Sequence, residues 1–141
     1  MDKKIILSIN SIQAYDISDS KNAINLVTEA KLGVEDGVFY IEYEESELTG
    51  LEGTKTYVEI GKNYVSVIRN GTVNTEMLFM KNRRTSTMYN TQYGNLTVDV
   101  FTTEMNIDMK KNGGTVIVDY LIDINGTENS KNNFKLEFKE A

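Results

Sequence analysis

The chain contains no cysteine, no histidine, no proline and no tryptophan. Each absence excludes something. Without cysteine there is no disulfide, no thiol nucleophile and no thiolate metal ligand, and the redox compartment is left unmarked. Without histidine, Ser-His and Cys-His catalytic pairs and imidazole metal sites are excluded as well. Cations are outnumbered: 15 Lys and Arg against 21 Asp and Glu give a formal net charge of −6. Nucleic acids and anionic membranes are both held by clustered cations, so neither is expected as a partner. No segment approaches the ~18 apolar residues of a membrane-spanning helix. Proline removes a ladder donor and is pushed to sheet edges, so its absence fits a barrel with few edges. A drift in genome composition explains it equally well.

What is present is ordinary for a globular protein. The 141 residues are 40% hydrophobic and 26% charged. That length favours one domain over residues 1–141, large enough to bury a core without covalent or metal staples. The N-terminus, MDKKIILSIN, superficially resembles a signal sequence. Its apolar run stops at Ser8, and no small-residue cleavage site follows. A strand of a cytoplasmic protein is the expected reading. Asn70-Gly71-Thr72 and Asn125-Gly126-Thr127 match the glycosylation pattern but read as turns.

The dominant period is two. Phe134, Leu136 and Phe138 alternate with charged residues, and Val116, Val118, Tyr120 and Ile122 occupy every second position. Such alternation sets one face on a core and the other in water, the mark of antiparallel sheet. Asn-Gly occurs at 70–71, 112–113 and 125–126, each between strand-like runs. It signals a hairpin, because a type I′ turn needs φ > 0 at both central positions. The expected strands are 3–14, 24–33, 37–45, 54–60, 63–70, 73–81, 83–91, 94–111, 114–125 and 132–139. Segment 94–111 changes phase. Leu96, Val98 and Val100 lie on even positions, whereas Met105, Ile107 and Met109 lie on odd ones. A slip near Thr102-Thr103 predicts a bulge or sharp bend. Residues 16–22 read as a polar loop. Residues 21–31 fit a short helix through Ala23, Leu26, Val27 and Ala30, and a strand through Leu26, Thr28, Ala30 and Leu32. The strand is preferred.

Candidate chemistry is sparse. Glu42, Glu44, Glu45 and Glu47 form the densest carboxylate group; on a strand, Glu42 and Glu44 share one face and Glu45 and Glu47 the other. The bland reading is a solvated strand end. No EF-hand pattern exists, and TGLEGTKT lacks the Gly-Lys-Ser/Thr ending of a phosphate loop. Arginine, suited to bidentate anion recognition, occurs at 69, 83 and 84. Arg69 alternates with Val65 and Val67 and so points the same way as two apolar residues. It is either an anion anchor at a barrel end or a structural partner of a carboxylate, with Glu45, Glu59 and Tyr89 as candidates by type. Tyr89 and Tyr93 lie beside a turn, where they would rim a mouth or pack across strands.

The stretches YEESELTGLEGTKTYVEI, VIRNG, MYNTQYGNL and NGGTVIVDYLIDING, taken in order, resemble the YwiB-like family of bacterial domains of unknown function. The resemblance runs from about residue 24 to 139. It implies an all-β, calycin-type, lipocalin-like antiparallel meander barrel of eight to ten strands in a cytoplasmic bacterial protein. It implies no catalytic residue, and no cofactor or metal is expected. The residues and the resemblance together favour a barrel that binds a small apolar or anionic molecule inside or at its mouth. Arg69 would anchor that ligand, Tyr89 would donate a hydrogen bond, and Glu45 would orient the guanidinium. The alternative is a non-catalytic interaction or assembly module with a filled barrel, open to forming a homodimer through an exposed sheet face. An enzyme would have to work with Glu, Asp, Lys, Tyr or a cofactor.

Overall fold

A computed structural model describes residues 3–15, 21–45, 53–71, 74–91, 94–124 and 128–141. Among them there is no helix. The strands are β1 (Lys3–Tyr15), β2 (Lys21–Glu35), β3 (Val38–Glu44), β4 (Lys55–Ile60), β5 (Tyr64–Asn70), β6 (Thr75–Met80), β7 (Arg84–Thr91), β8 (Gly94–Lys110), β9 (Gly113–Ile124) and β10 (Glu128–Glu140). They form one sheet in the order β6-β5-β4-β3-β2-β1-β10-β9-β8-β7, every ladder antiparallel. The sheet curls into a nearly closed barrel, consistent with a calycin-like form.

Residues 21–31 are strand, which settles the two competing periodicities. β2 runs from Lys21 and pairs with β1 from Ala14↔Lys21 to Lys3↔Leu32. The helical spacing is defeated by this long ladder, which buries Leu26, Ala30 and Leu32 on one face. β2 therefore begins within the expected polar loop, of which residues 16–20 lie outside the described chain. β10 likewise starts at Glu128, four residues before the expected start at 132 and six before the apolar alternation begins at Phe134.

The turns correct one expectation. Asp36 and Gly37 both have positive φ, 52° and 81°, and close a two-residue hairpin between Glu35 and Val38. That is the type I′ pattern, with glycine where a left-handed conformation is needed. At 112–113 the pattern fails: the loop is Lys111-Asn112, and Gly113 already pairs with Lys110 as the first residue of β9. Neither Asn112 nor Gly113 has positive φ. The turn at 125–126 lies outside the described residues.

The phase slip in β8 is a bulge. Its register against β9 shifts between Thr102 and Glu104, with Val98, Val100 and Thr102 buried before it. Beyond it Met105, Ile107 and Met109 take over the inward positions, partly buried against the core. The barrel is fastened at this bulge. β6 and β7 share no ladder, but Thr102 accepts a bond from the Asn82 amide (2.8 Å) and donates to the Arg83 carbonyl (3.3 Å). Thr85 Oγ1 donates to the Leu78 carbonyl at 2.7 Å, and the rings of Phe79 and Tyr120 pack 4.7 Å apart across the interior.

Ile5, Leu7, Leu32, Ile60, Val116 and Leu136 are among the side chains fully removed from water, and they belong to one continuous core. Phe134, Leu136 and Phe138 point into it as the alternation requires. The barrel has two unlike ends. Turns 36–37, 61–63, 81–83 and 111–112 make one of them. At the other, the odd-numbered strands end and the even-numbered strands begin.

Candidate functional site

That second end carries the polar interior. Among the described residues, the buried polar ones are Glu45, Thr54, Thr56, Ser66, Thr102, Ser130 and Asn132. Five of them, Glu45, Thr54, Thr56, Ser130 and Asn132, sit at or beside strand termini of this end. Burying polar groups costs free energy unless each finds a partner, so such clustering requires an account.

One wall is built from β3, β4 and β5. Inward positions alternate, so Tyr43 and Glu45 share a face, as do Thr54, Thr56 and Val58. The registers place Tyr43 opposite Thr56 and Thr56 opposite Arg69, making a row across three strands. The Glu45 amide donates to the Thr54 carbonyl at 2.8 Å, carrying the β3–β4 pairing one step further. Thr56 Oγ1 donates to Glu45 Oε1 at 2.6 Å, and Arg69 Nε lies 3.7 Å from the same oxygen. The Glu45 side chain keeps 2% of its exposure and Arg69 keeps 29%. Arg69 Nε is itself buried without a hydrogen-bond partner. Burial pushes the Tyr43 phenol well above its ordinary value; the charge of Glu45 adds to this, and Arg69 opposes it. Tyr43 is thereby kept as a neutral donor beside a carboxylate.

β10 begins at the same end and adds two more buried polar residues. Asn132 Nδ2 donates to Ser130 Oγ (3.1 Å) and to the Ser130 carbonyl (3.3 Å), both residues being buried. Gly71 closes the rim beside β5. A Cβ there would lie 2.4 Å from the Gly53 carbonyl oxygen, and its φ is +149°. The two backbones approach at a distance that only glycine permits.

Of the three residues expected at a site, Arg69 and Glu45 are brought together. The carboxylate group is therefore not merely a solvated strand end: Glu42 and Glu44 face out, and Glu45 is buried. Glu59 is no partner of Arg69, because it occupies the outer register opposite Tyr40. Tyr89 lies on β7 opposite Leu96, near the strand termini of the same end, but its side chain falls outside the described residues, as does Tyr93. Sequence reasoning missed Tyr43, Thr54, Thr56, Ser130 and Asn132 as site residues. The signal was parity: Ser130 and Asn132 continue the Phe134-Leu136-Phe138 face, and Thr54 and Thr56 continue the Val58-Ile60 face. Among the described residues no three metal-ligating side chains converge. No helix among them is long and apolar enough to cross a membrane.

Residues 8–136 match DUF1934, a domain of unknown function. The chain belongs to that family. The crystal structure of the ywiB protein from Bacillus subtilis is similar over 99% of this chain and 93% of that one, with a TM-score of 0.84 and 21% identity. The likeness shows that the two share a fold. No curated protein matches the chain. In this DUF1934 chain, the polar row Tyr43–Thr56–Arg69 with Glu45 lies at the end of the barrel where the odd-numbered strands finish.

Proposed function

We propose that this barrel binds a small anionic molecule at its polar end, with Arg69 as the anchor. The observation that carries the reading is Arg69 itself: a guanidinium on an inward position, with one side facing Glu45 and a buried Nε–H without a hydrogen bond. Glu45, fixed by Thr56, orients the guanidinium as a carboxylate orients a binding arginine. Thr54, Thr56, Ser130 and Asn132 offer further polar groups around the same end. The apolar core occupies the depth of the barrel, which favours a ligand at the mouth. We take the compartment to be the cytoplasm, the one that the resemblance to the bacterial YwiB-like family implies.

The test is native mass spectrometry of the purified protein beside the double variant Glu45→Gln/Arg69→Met. Changing both leaves no carboxylate stranded. A copurifying anionic molecule that vanishes in the double variant, with an unchanged circular dichroism spectrum, supports the reading. A molecule retained by the double variant, or none in either protein, overturns it.

A further inference from the structure

The outer surface of β3, β4, β5 and β6 departs from the rule that a barrel turns polar side chains to water. The registers set Tyr40 beside Glu59, Glu59 beside Ser66 and Ser66 beside Leu78 in one row. The next row runs Lys31, Glu42, Tyr57, Ile68 and Glu76. Tyr40 is 41% exposed and Tyr57 36%. Ser66 points outward in this register, yet only 5% of it remains exposed, so its neighbours close over it. A groove of about 460 Å³ runs here, lined by Tyr40, Tyr57 and Ile68 and by the carboxylates of Glu35, Glu42 and Glu59. Tyr40 and Tyr64 both hold their phenolic protons above the ordinary value, through desolvation first and the charge of Glu59 next.

We infer that this groove docks a segment of a partner protein in which arginine or lysine flanks an apolar side chain. The argument is charge complementarity joined to aromatic exposure. Glu35, Glu42, Glu59 and Glu76 stand on the surface against Lys31 and Lys55, and Lys55 is already 3.0 Å from Glu42. A second copy would bring the same excess of carboxylate against itself, and like charges juxtaposed across an interface are unfavourable. A cation laid over a tyrosine ring is attracted by its face, and a nearby carboxylate fixes its direction. The apolar side chain of the segment would lie over the paired side chains of Tyr57 and Ile68. This surface is distinct from the polar barrel end, since Glu59 and Arg69 lie on opposite faces of the sheet.

The probe is a short synthetic peptide of alternating arginine and leucine, with the glutamate–leucine counterpart as control, titrated into the 15N-labelled full chain. The inference requires amide shifts confined to residues 31–42, 57–59 and 66–68, and silence from the acidic control. Tyr57→Ala and Glu59→Gln should each weaken binding about fivefold. Glu137→Gln, an exposed carboxylate of β10 beside Lys135, should leave affinity unchanged. Shifts scattered over the acidic surface, or equal weakening by Glu137→Gln, would overturn it. So would a dimer in sedimentation that Tyr57→Glu dissociates, since the occupant would then be a second copy.

Discussion

The five long strands and the four short ones obey the same pairing rules and use their faces differently. β1, β2, β8, β9 and β10, each 12 residues or longer, bury apolar positions over most of their length and carry polar pairs outside, with Thr102, Ser130 and Asn132 buried and Ile12 and Val27 exposed as exceptions. Asn133 donates to Asp119 at 2.6 Å and Lys135 meets Glu137 at 2.8 Å on that outer surface. β3 to β6, six or seven residues each, reverse the arrangement in two places. Their inner face ends in Glu45, Thr56 and Arg69, and their outer face carries Tyr40, Tyr57 and Ile68. The long strands supply most of the buried apolar side chains, while the short strands add Ile41, Val58, Ile60, Val65, Val67 and Phe79 to the same core. Departures from local consistency are where function is sought.

The largest expected effect tests the orderly half. Leu136 is fully buried, so Leu136→Ala should cost about 2–5 kcal/mol in denaturant unfolding. A loss under about 0.5 kcal/mol would show that the face assignment of β10 is wrong. Next comes the irregular half. Breaking a fully buried pair costs ~3–5 kcal/mol, but Arg69 is 29% exposed, so Arg69→Met should cost about 1–3 kcal/mol. Adding Glu45→Gln should recover part of that loss, giving a coupling above about 0.5 kcal/mol in a double-mutant cycle. Strict additivity would mean that the 3.7 Å approach carries no energy.

A smaller effect appears with alkali. In the unfolded chain the Tyr43 phenol ionises near its ordinary 10.0, whereas in the fold burial keeps it protonated to higher pH. Its contribution is therefore complete below that value and is lost as pH rises through the folded one. Tyr43→Phe should flatten the alkaline decline in unfolding free energy measured from about pH 8 to 11, and an unchanged slope would place the decline elsewhere. The smallest effect concerns the outer face of the long strands. Asp99 and Asp123 stand directly opposite each other, and Arg84 lies 3.9 and 3.3 Å from them. Because Arg84 is 56% exposed, Arg84→Met should cost less than about 1 kcal/mol, and less still in high salt.

The same contrast explains what could be read in the residues. In the long strands, period-2 alternation and the switch of parity between Val100 and Met105 placed β1, β8, β9 and the bulge, whereas β2 and β10 begin three and four residues before the expected bounds, in polar stretches where no apolar alternation marks them. Sheet order followed from hairpins between neighbours. The join of β1 to β10 needed the closed topology that the family resemblance implied. In the short strands, Arg69 was legible from its parity with Val65 and Val67. Its partner was not, because choosing Glu45 over Glu59 depends on which face each occupies once β4 and β5 are in register. The outer tyrosines had the alternation of ordinary strand residues, and nothing local marks a surface aromatic as uncovered.

The missing ladder between β6 and β7 has a kinetic meaning. Among the described residues, β1 with β10 is the one ladder that joins strands distant along the chain, and there Lys3 Nζ lies 2.9 Å from Glu140. Linking β10 to β1 and opening the chain between β6 and β7 would yield a sequence in which every ladder joins consecutive strands. Loop-closure entropy would then fall for the one pairing that now spans the chain, and the mean separation of contacting residues with it. Such a circular permutant should keep the barrel and fold faster than the natural order.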